Sequence, residues 1–160
     1  MAVDMFMKIG DIDGESTDQS HPKDIDVLAW SWGMSQSGTT HMGGGGGAGK
    51  VSVMDLSFTK YVDSSSHALI QACCTGKHYD EAKLVVRKAG TTQLEYIIIT
   101  MTEVIVTNVS TGGSGGEDRL TENCTLNFAK FKFEYAPQMP DGSLEAVKDF
   151  TYNIAANVAE

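Results

Sequence analysis

The clearest pattern in the chain is a period-two alternation of apolar and polar residues, which is typical of β-strands with one buried face. The first such stretch runs from Val3 to Ile9 and stops at Gly10. No second pattern divides the chain, so the alternation predicts one antiparallel β-barrel or sandwich domain over residues 1–160, with seven or eight strands. Further strands are predicted at 51–62, 83–89, 94–109, 121–135 and 150–154.

Residues 25–34 predict a strand with two unlike faces. Large side chains occupy one set of alternate positions and smaller ones the other, which indicates a core side and a side open to close approach. We therefore expect the two tryptophans of the large set to be buried in the barrel core. The large set is Leu28, Trp30, Trp32 and Met34, and the small set is Ile25, Val27, Ala29, Ser31 and Gly33.

The alternation changes phase within residues 121–135. Leu126 and Phe128 share one side of the predicted strand, whereas Phe131 and Phe133 take the other side. A slip of one residue indicates a β-bulge or a strand that bends round a barrel corner.

One short α-helix is predicted between the strands. Residues 63–65 offer side chains that can cap its N-terminus, and Gly76 supplies the left-handed residue at which many helices end. Leu69, Ile70 and Cys73 form its apolar stripe, and a helix with a single stripe packs against a sheet. The predicted fold class is therefore mainly β, an antiparallel β-barrel or sandwich with one short flanking α-helix.

Composition and charge exclude several partners. The chain of 160 residues has a formal net charge of −9, which repels phosphate backbones, so we expect no nucleic-acid partner. No apolar run approaches the ~20 residues that cross a bilayer, so we expect no membrane insertion. The first ten residues lack a basic leader and are typical of a strand. We expect synthesis in the cytoplasm and, if the protein leaves the cell, export without a cleaved signal peptide.

The glycine-rich residues 44–50 match the spacing of a phosphate-binding loop, but their context does not. Lys50 is followed by Val51, where such loops have a serine or threonine that binds magnesium. The next residues predict a strand, so no helix N-terminus would face a phosphate group. We interpret this segment as a loop between strands.

Candidates for metal or catalytic chemistry are weak. Cys73 and Cys74 are adjacent, and neighbours on a helix point about 100° apart. Together with Cys124 they are best interpreted as reduced thiols that pack as small apolar groups. His21 and His41 have no recognisable nucleophile motif beside them. We expect no metal, no cofactor and no enzymatic activity.

Five long segments of the chain carry tryptophans and glycines at defined positions. They are 26–37 with Trp-Ser-Trp-Gly, 41–50 with its run of glycines, 55–61, 83–90 and 110–128. These segments resemble the Hcp (haemolysin-coregulated protein) family of type VI secretion, and their length makes chance a poor explanation. The likeness runs from the first strand to about Gln138 and weakens after it.

The resemblance implies a small β-barrel that assembles into a homohexameric ring. Rings of this family stack into a tube inside a contractile sheath, below a spike protein, and hold small effector proteins in the lumen. Membership in the family would make this chain a structural subunit and an effector carrier.

Ala29, Ser31 and Gly33 are the residues that we expect to line the lumen. Short side chains leave room for varied passengers, and a hydroxyl group can donate or accept a hydrogen bond. Alternation alone does not choose between faces, so the alternative is that these residues pack on a neighbouring strand layer.

A second functional region is expected between residues 38 and 50. Consecutive glycines are costly to order and suit a backbone that approaches another surface closely, so we expect this loop to join adjacent rings. The alternative is a plain flexible connection. The residues of the predicted ring-stacking loop are Gly38, His41, Met42, Gly43, Gly44, Gly45, Gly46, Gly47 and Lys50.

Two other functions remain open from the sequence. A stand-alone β-barrel module that binds carbohydrate or another small ligand would stay monomeric or dimeric, whereas a tube subunit must form rings. A phosphate-handling enzyme would use residues 44–50, and nucleotide binding would be needed to support it.

Overall fold

The computed structural model describes residues 3–38, 41, 49–89 and 93–160. Within these ranges the chain forms ten strands and one helix, α1, at Ser66–Thr75. The strands are β1 Val3–Ile9, β2 Ile25–Ser31, β3 Met34–Ser35, β4 Ser52–Val53, β5 Leu56–Tyr61, β6 His78–Lys88, β7 Leu94–Thr111, β8 Thr121–Tyr135, β9 Lys148–Asn153 and β10 Val158–Ala159.

Six strands close into an antiparallel barrel, in the order β8, β5, β2, β1, β6, β7 and back to β8. The length of β8 makes closure possible, because one edge pairs with β7 while the other pairs first with β5 and then with β9. β9 and β10 thus extend the sheet beyond the barrel, and β3 pairs with β4 separately. The predicted mainly β fold with one flanking helix is confirmed.

The predicted change of face in β8 is a bend that β7 shares. Phe128 and Phe131 are both buried, although strict alternation would place them on opposite faces. On β7 the same change separates the buried Met101 and Val104. Glu103 lies between them with a φ of 56°, and a left-handed residue at this point turns the strand.

The predicted faces of residues 25–34 are wrong in the first half of the segment. The pairing of β2 with β5 shifts between Val27 and Ala29, which places a β-bulge at Leu28. Ile25 and Val27 therefore face the core, whereas Leu28 is 39% exposed. The bulge changes the phase of the strand, so the residues after it alternate in the opposite sense.

The tryptophans that we expected in the core lie at its margin. Trp30 and Trp32 pack against the core but are only partly buried. Trp32 donates a hydrogen bond from Nε1 to the Met54 carbonyl at 3.0 Å, and its ring meets Phe131 edge-on with centroids 4.8 Å apart. Met34, also expected in the core, is exposed.

Helix α1 begins and ends as predicted, but its buried stripe differs. Gly76 follows the helix with a φ of 67°. Leu69 and Ala72 are buried, whereas Ile70 is exposed. Positions i and i+3 share a helix face and position i+1 lies about 100° away, so the expected contribution of Ile70 was wrong.

Residues 14–24 form a clasp over the outer face of β1. The His21 ring stacks on Phe6 with centroids 4.5 Å apart, which explains why Phe6 is buried on a face that points away from the core. Asp18 accepts hydrogen bonds from Arg87 of β6. These bonds lower the pKa of the Asp18 carboxyl group.

A buried ion pair crosses one end of the barrel. Lys60 on β5 and Glu122 on β8 are register partners, both point inward, and both are almost completely buried. The Lys60 Nζ atom binds the Glu122 carboxylate and also lies 2.9 Å from Asp63 Oδ1. Burying charges is costly unless each is paired, so these groups depend on one another.

The carboxylates beside Lys60 also form hydrogen bonds with the first turn of α1. Ser66 Oγ donates a hydrogen bond to Glu122 Oε1 at 2.6 Å, and it accepts one from the Asp63 backbone N–H at 3.0 Å. Asp63 Oδ1 also accepts a hydrogen bond from the Ser65 N–H at 2.8 Å. The helix is thus joined to the barrel through hydrogen bonds to the ion pair as well as through apolar packing.

We expect Lys60→Met to lower the free energy of unfolding by about 3–5 kcal/mol, because two carboxylates then stay buried without their cation. Urea denaturation followed by tryptophan fluorescence, at one protein concentration, measures the loss. Lys83→Met on the outer face of β6 is the matched control and should change stability by less than about 0.5 kcal/mol. Adding Glu122→Leu to Lys60→Met should restore part of the loss; equal losses in the single and double variants would contradict this account.

Candidate functional site

One outer face of the barrel consists of small, mostly uncharged polar side chains. We call it the polar face, and three rows of residues across β2, β5, β8 and β7 define it. The strand registers place the members of the first two rows side by side. The first row is Ala29, Thr59, Asn123 and Ser110; the second is Ser31, Ser57, Thr125 and Asn108; the third is Gly33, Asp55, Asn127 and Thr107.

A β-bulge in β2, a second in β7 and the regular alternation of β5 direct these side chains outward. In β5 the inward positions are apolar or part of the ion pair, while Ser57 and Thr59 point outward. The bulge at Leu28 turns Ala29 and Ser31 outward. A second register shift, between Val106 and Asn108, places Thr107 outward on β7. The four strands therefore present small polar residues at the same level.

Hydrogen bonds between side chains hold the polar face in one arrangement. Thr59 Oγ1 donates to Asn123 Oδ1 at 2.6 Å, which joins β5 to β8. Thr107 Oγ1 lies 2.8 Å from Thr125 Oγ1, which joins β7 to β8. These hydrogen bonds fix part of the polar face, because they join side chains of neighbouring strands.

The structure brings the predicted lumen residues onto this face. Ala29 and Ser31 are exposed, and Gly33 is half-buried next to Met54, whose N–H donates to the Gly33 carbonyl at 2.9 Å. A Cβ atom at Gly33 would lie 3.4 Å from Met54 Sδ, which is an ordinary van der Waals contact. Among the described residues, no further strand layer covers Ala29 and Ser31.

The sequence interpretation missed the residues that the other strands add. Their small polar character was visible in the alternation of β5 and β8, but which of them adjoin Ser31 depends on strand register. The missed residues are Asp55, Ser57, Thr59, Thr107, Asn108, Ser110, Asn123, Thr125 and Asn127.

The predicted ring-stacking loop is described only in part. Gly38, His41 and Lys50 are exposed. Met42, Gly43, Gly44, Gly45, Gly46 and Gly47 lie outside the described residues. The two-stranded sheet of β3 and β4 joins the ends of the loop, with Met34 opposite Val53 and Ser35 opposite Ser52.

The surroundings of Lys50 differ from those of a phosphate-binding loop. The segment that follows is extended, but the one strand predicted over 51–62 is two, β4 and β5, which belong to different sheets. A strand and not a helix therefore comes directly after Lys50, so this loop is not followed by the backbone N–H groups of a helix N-terminus.

The three cysteines are free thiols, but the expectation that all of them pack as small apolar groups is wrong for Cys74. Cys73 is half-buried, Cys74 is exposed and Cys124 is buried. Burial raises the pKa of the Cys124 thiol to about 12, and the nearby Glu122 carboxylate adds to the rise. A thiol that stays protonated at neutral pH is a poor nucleophile and a poor metal ligand.

Residues 3–38, 41, 49–89 and 93–160 lack two features of other functional classes, a cluster of metal ligands and a membrane-spanning helix. There, no group of three or more His, Cys, Asp or Glu side chains could hold a metal ion. The helix in this part of the chain is neither long nor apolar enough to cross a membrane.

In the described residues, the closed barrel, the one helix beside it and the polar outer face define a small antiparallel β-barrel protein. The profile of the family described as "Type VI secretion system effector, Hcp" matches residues 6–135. The chain belongs to the Hcp family. This is a family of secreted structural proteins and not a known enzyme family.

Individual relatives agree along the whole chain. Protein hcp1 of Pseudomonas aeruginosa is 65% identical over 161 residues, which covers 99% of this chain and 99% of that protein. Hcp1 from Salmonella typhimurium superposes with a TM-score of 0.80 at 37% identity, covering 100% of both chains. A solved type six secretion system protein superposes with a TM-score of 0.94 at 28% identity, covering 99% of this chain and 100% of that one.

Proposed function

We propose that this chain is the structural subunit of a type VI secretion inner tube. Six copies form a ring, rings stack into a tube inside a contractile sheath below a spike protein, and the lumen carries small effector proteins out of the cell. The observation that supports this proposal most directly is the polar face, which we assign to the lumen wall.

The chemistry of the polar face suits a passage for folded passengers. Short hydroxyl and amide side chains can donate or accept hydrogen bonds, so they accommodate different protein surfaces. Large apolar side chains, which would hold a passenger too firmly, are lacking in the first two rows; in the third, Ile105 is the register partner of Asn127 and is half-buried. Because neighbouring strands fix the side chains, the wall has little freedom to collapse into the lumen.

Two other surfaces provide places for subunit contacts. The pairing of β9 with β10 covers Tyr152 and Asn153, and the Glu160 N–H donates to the Thr151 carbonyl at 2.9 Å, so residues 148–150 present a strand edge in the described structure. Next to it, Met34, Val53, Phe131, Phe150 and Tyr152 line an apolar groove. Unpaired strand edges and exposed apolar grooves are typical places where another chain binds.

We expect the purified protein to form hexamers at micromolar concentration, because a closed ring covers edges and grooves of this kind. Size-exclusion chromatography with light scattering measures the mass, and negative-stain images should show annuli. A monomer or dimer at that concentration would contradict the tube subunit and favour a stand-alone ligand-binding module.

Ser31→Gln should preserve rings and weaken the retention of effectors. The longer side chain projects from the middle row of the polar face, and an adverse contact of about 1 kcal/mol lowers affinity roughly fivefold. The measurement is the amount of effector that co-purifies per ring. Ser20→Gln in the clasp is the control and should retain effectors normally. Collapse of the rings in Ser31→Gln would show instead that this face packs between subunits.

The predicted ring-stacking loop is tested by shortening Gly43–Gly47 or by Met42→Asp. We propose that His41 and Met42 contact the adjacent ring and that Lys50 meets an acidic residue there. Both variants should keep the hexamer mass and form fewer or shorter tubes, because only contacts between rings are changed. Light scattering and electron microscopy measure the two properties separately. Normal tubes from both variants would favour a plain flexible connection.

A further inference from the structure

Asp55 is the only charged residue among those that define the polar face. It precedes β5 and is half-buried, in the third row beside Asn127 and Thr107. The other members are serine, threonine, asparagine, alanine and glycine. A single carboxylate on an otherwise uncharged wall gives that wall one position that distinguishes cations from anions.

The Asp55 carboxylate is held in place from two sides. Oδ1 accepts a hydrogen bond from Asn127 Nδ2 at 2.9 Å, and Oδ2 accepts one from Thr107 Oγ1 at 2.8 Å. In the described residues no lysine, arginine or histidine side chain pairs with it. A carboxylate offers about four acceptor positions, so roughly two remain for a group that arrives from outside.

We propose that Asp55 is the position at which the polar face binds an arginine or lysine side chain of a passenger protein. The proposal rests on the assignment of this face to the lumen. Two neutral donors fix the carboxylate without neutralising it, and the net charge of −9 on the chain draws cations toward its surface.

One such contact is weak, which suits reversible transport. Exposed ion pairs contribute at most about 1 kcal/mol, or about a fivefold change in affinity. In a ring, several copies of Asp55 would face the same passenger, and linked contacts add up without any single one being strong. Passengers with basic patches would therefore be retained better than passengers with acidic ones.

The test uses Asp55→Asn, which keeps the shape of the side chain, and Asp80→Asn on the outer face of β6 as the matched control for net charge. The probes are arginine amide and citrulline amide, each acetylated on its α-amino group so that the first carries only the guanidinium charge and the second is neutral. Methyl NMR of Thr107 and Thr125 reports binding at the site, with or without ring formation. Thermal unfolding checks that each variant is folded.

We expect the unchanged protein and Asp80→Asn to bind arginine amide about two- to fivefold more tightly than citrulline amide. This preference should disappear in Asp55→Asn and should fade at about 1 M salt, where charges are screened within about 3 Å. If Asp55→Asn does not fold, Asp55→Glu, which retains the charge, should keep part of the preference.

A preference that persists in Asp55→Asn, or one that Asp80→Asn also removes, would overturn the proposal, because the diffuse field of the protein would then account for it. These outcomes differ from a failure of the proposed tube function. That failure would be seen in the ring mass and in the Ser31→Gln variant, neither of which depends on arginine amide binding.

Discussion

The ion pair between Lys60 and Glu122 constrains the register of β5 against β8, and the polar face depends on that register. A slip of β5 by one residue would turn Lys60 outward and bring Ser57 into the core, while Glu122 would stay buried without its cation. The cost of unpaired buried charges opposes the slip more strongly than apolar packing alone would. The same pair bonds to Ser66, so the position of the helix and the arrangement of the polar face are set by one group of contacts.

Much of the fold could be predicted from alternation. The bounds of β8 agree with the predicted residues 121–135, and the change of face near Phe128 was visible as a phase slip. The bulge at Leu28 was not visible in the sequence, because a regular alternation of large and small residues continues through it. Whether a strand bulges depends on the length and register of its partner, here β5, and that information is spread over distant parts of the sequence.

The candidate site could be predicted only in part, for the same reason. Ala29 and Ser31 stood out as small residues in one strand, and the structure places both at the surface. The sequence could not identify Asp55 as the one charged residue of the polar face, because its neutral neighbours come from other strands. The ion pair was missed because Lys60 and Glu122 are far apart in sequence and each resembles an ordinary surface residue.

The small sheet of β3 and β4 has a consequence for how this family can vary. It ties the two ends of residues 36–51 together, and Trp32 fixes the carbonyl of Met54 beside it. The structure of the barrel therefore does not depend on the number of residues between Ser35 and Ser52. Doubling the length of a closed segment costs only about 0.6 kcal/mol. Insertions can accumulate there in evolution, or be placed there by engineers who wish to display a peptide, while the core stays unchanged.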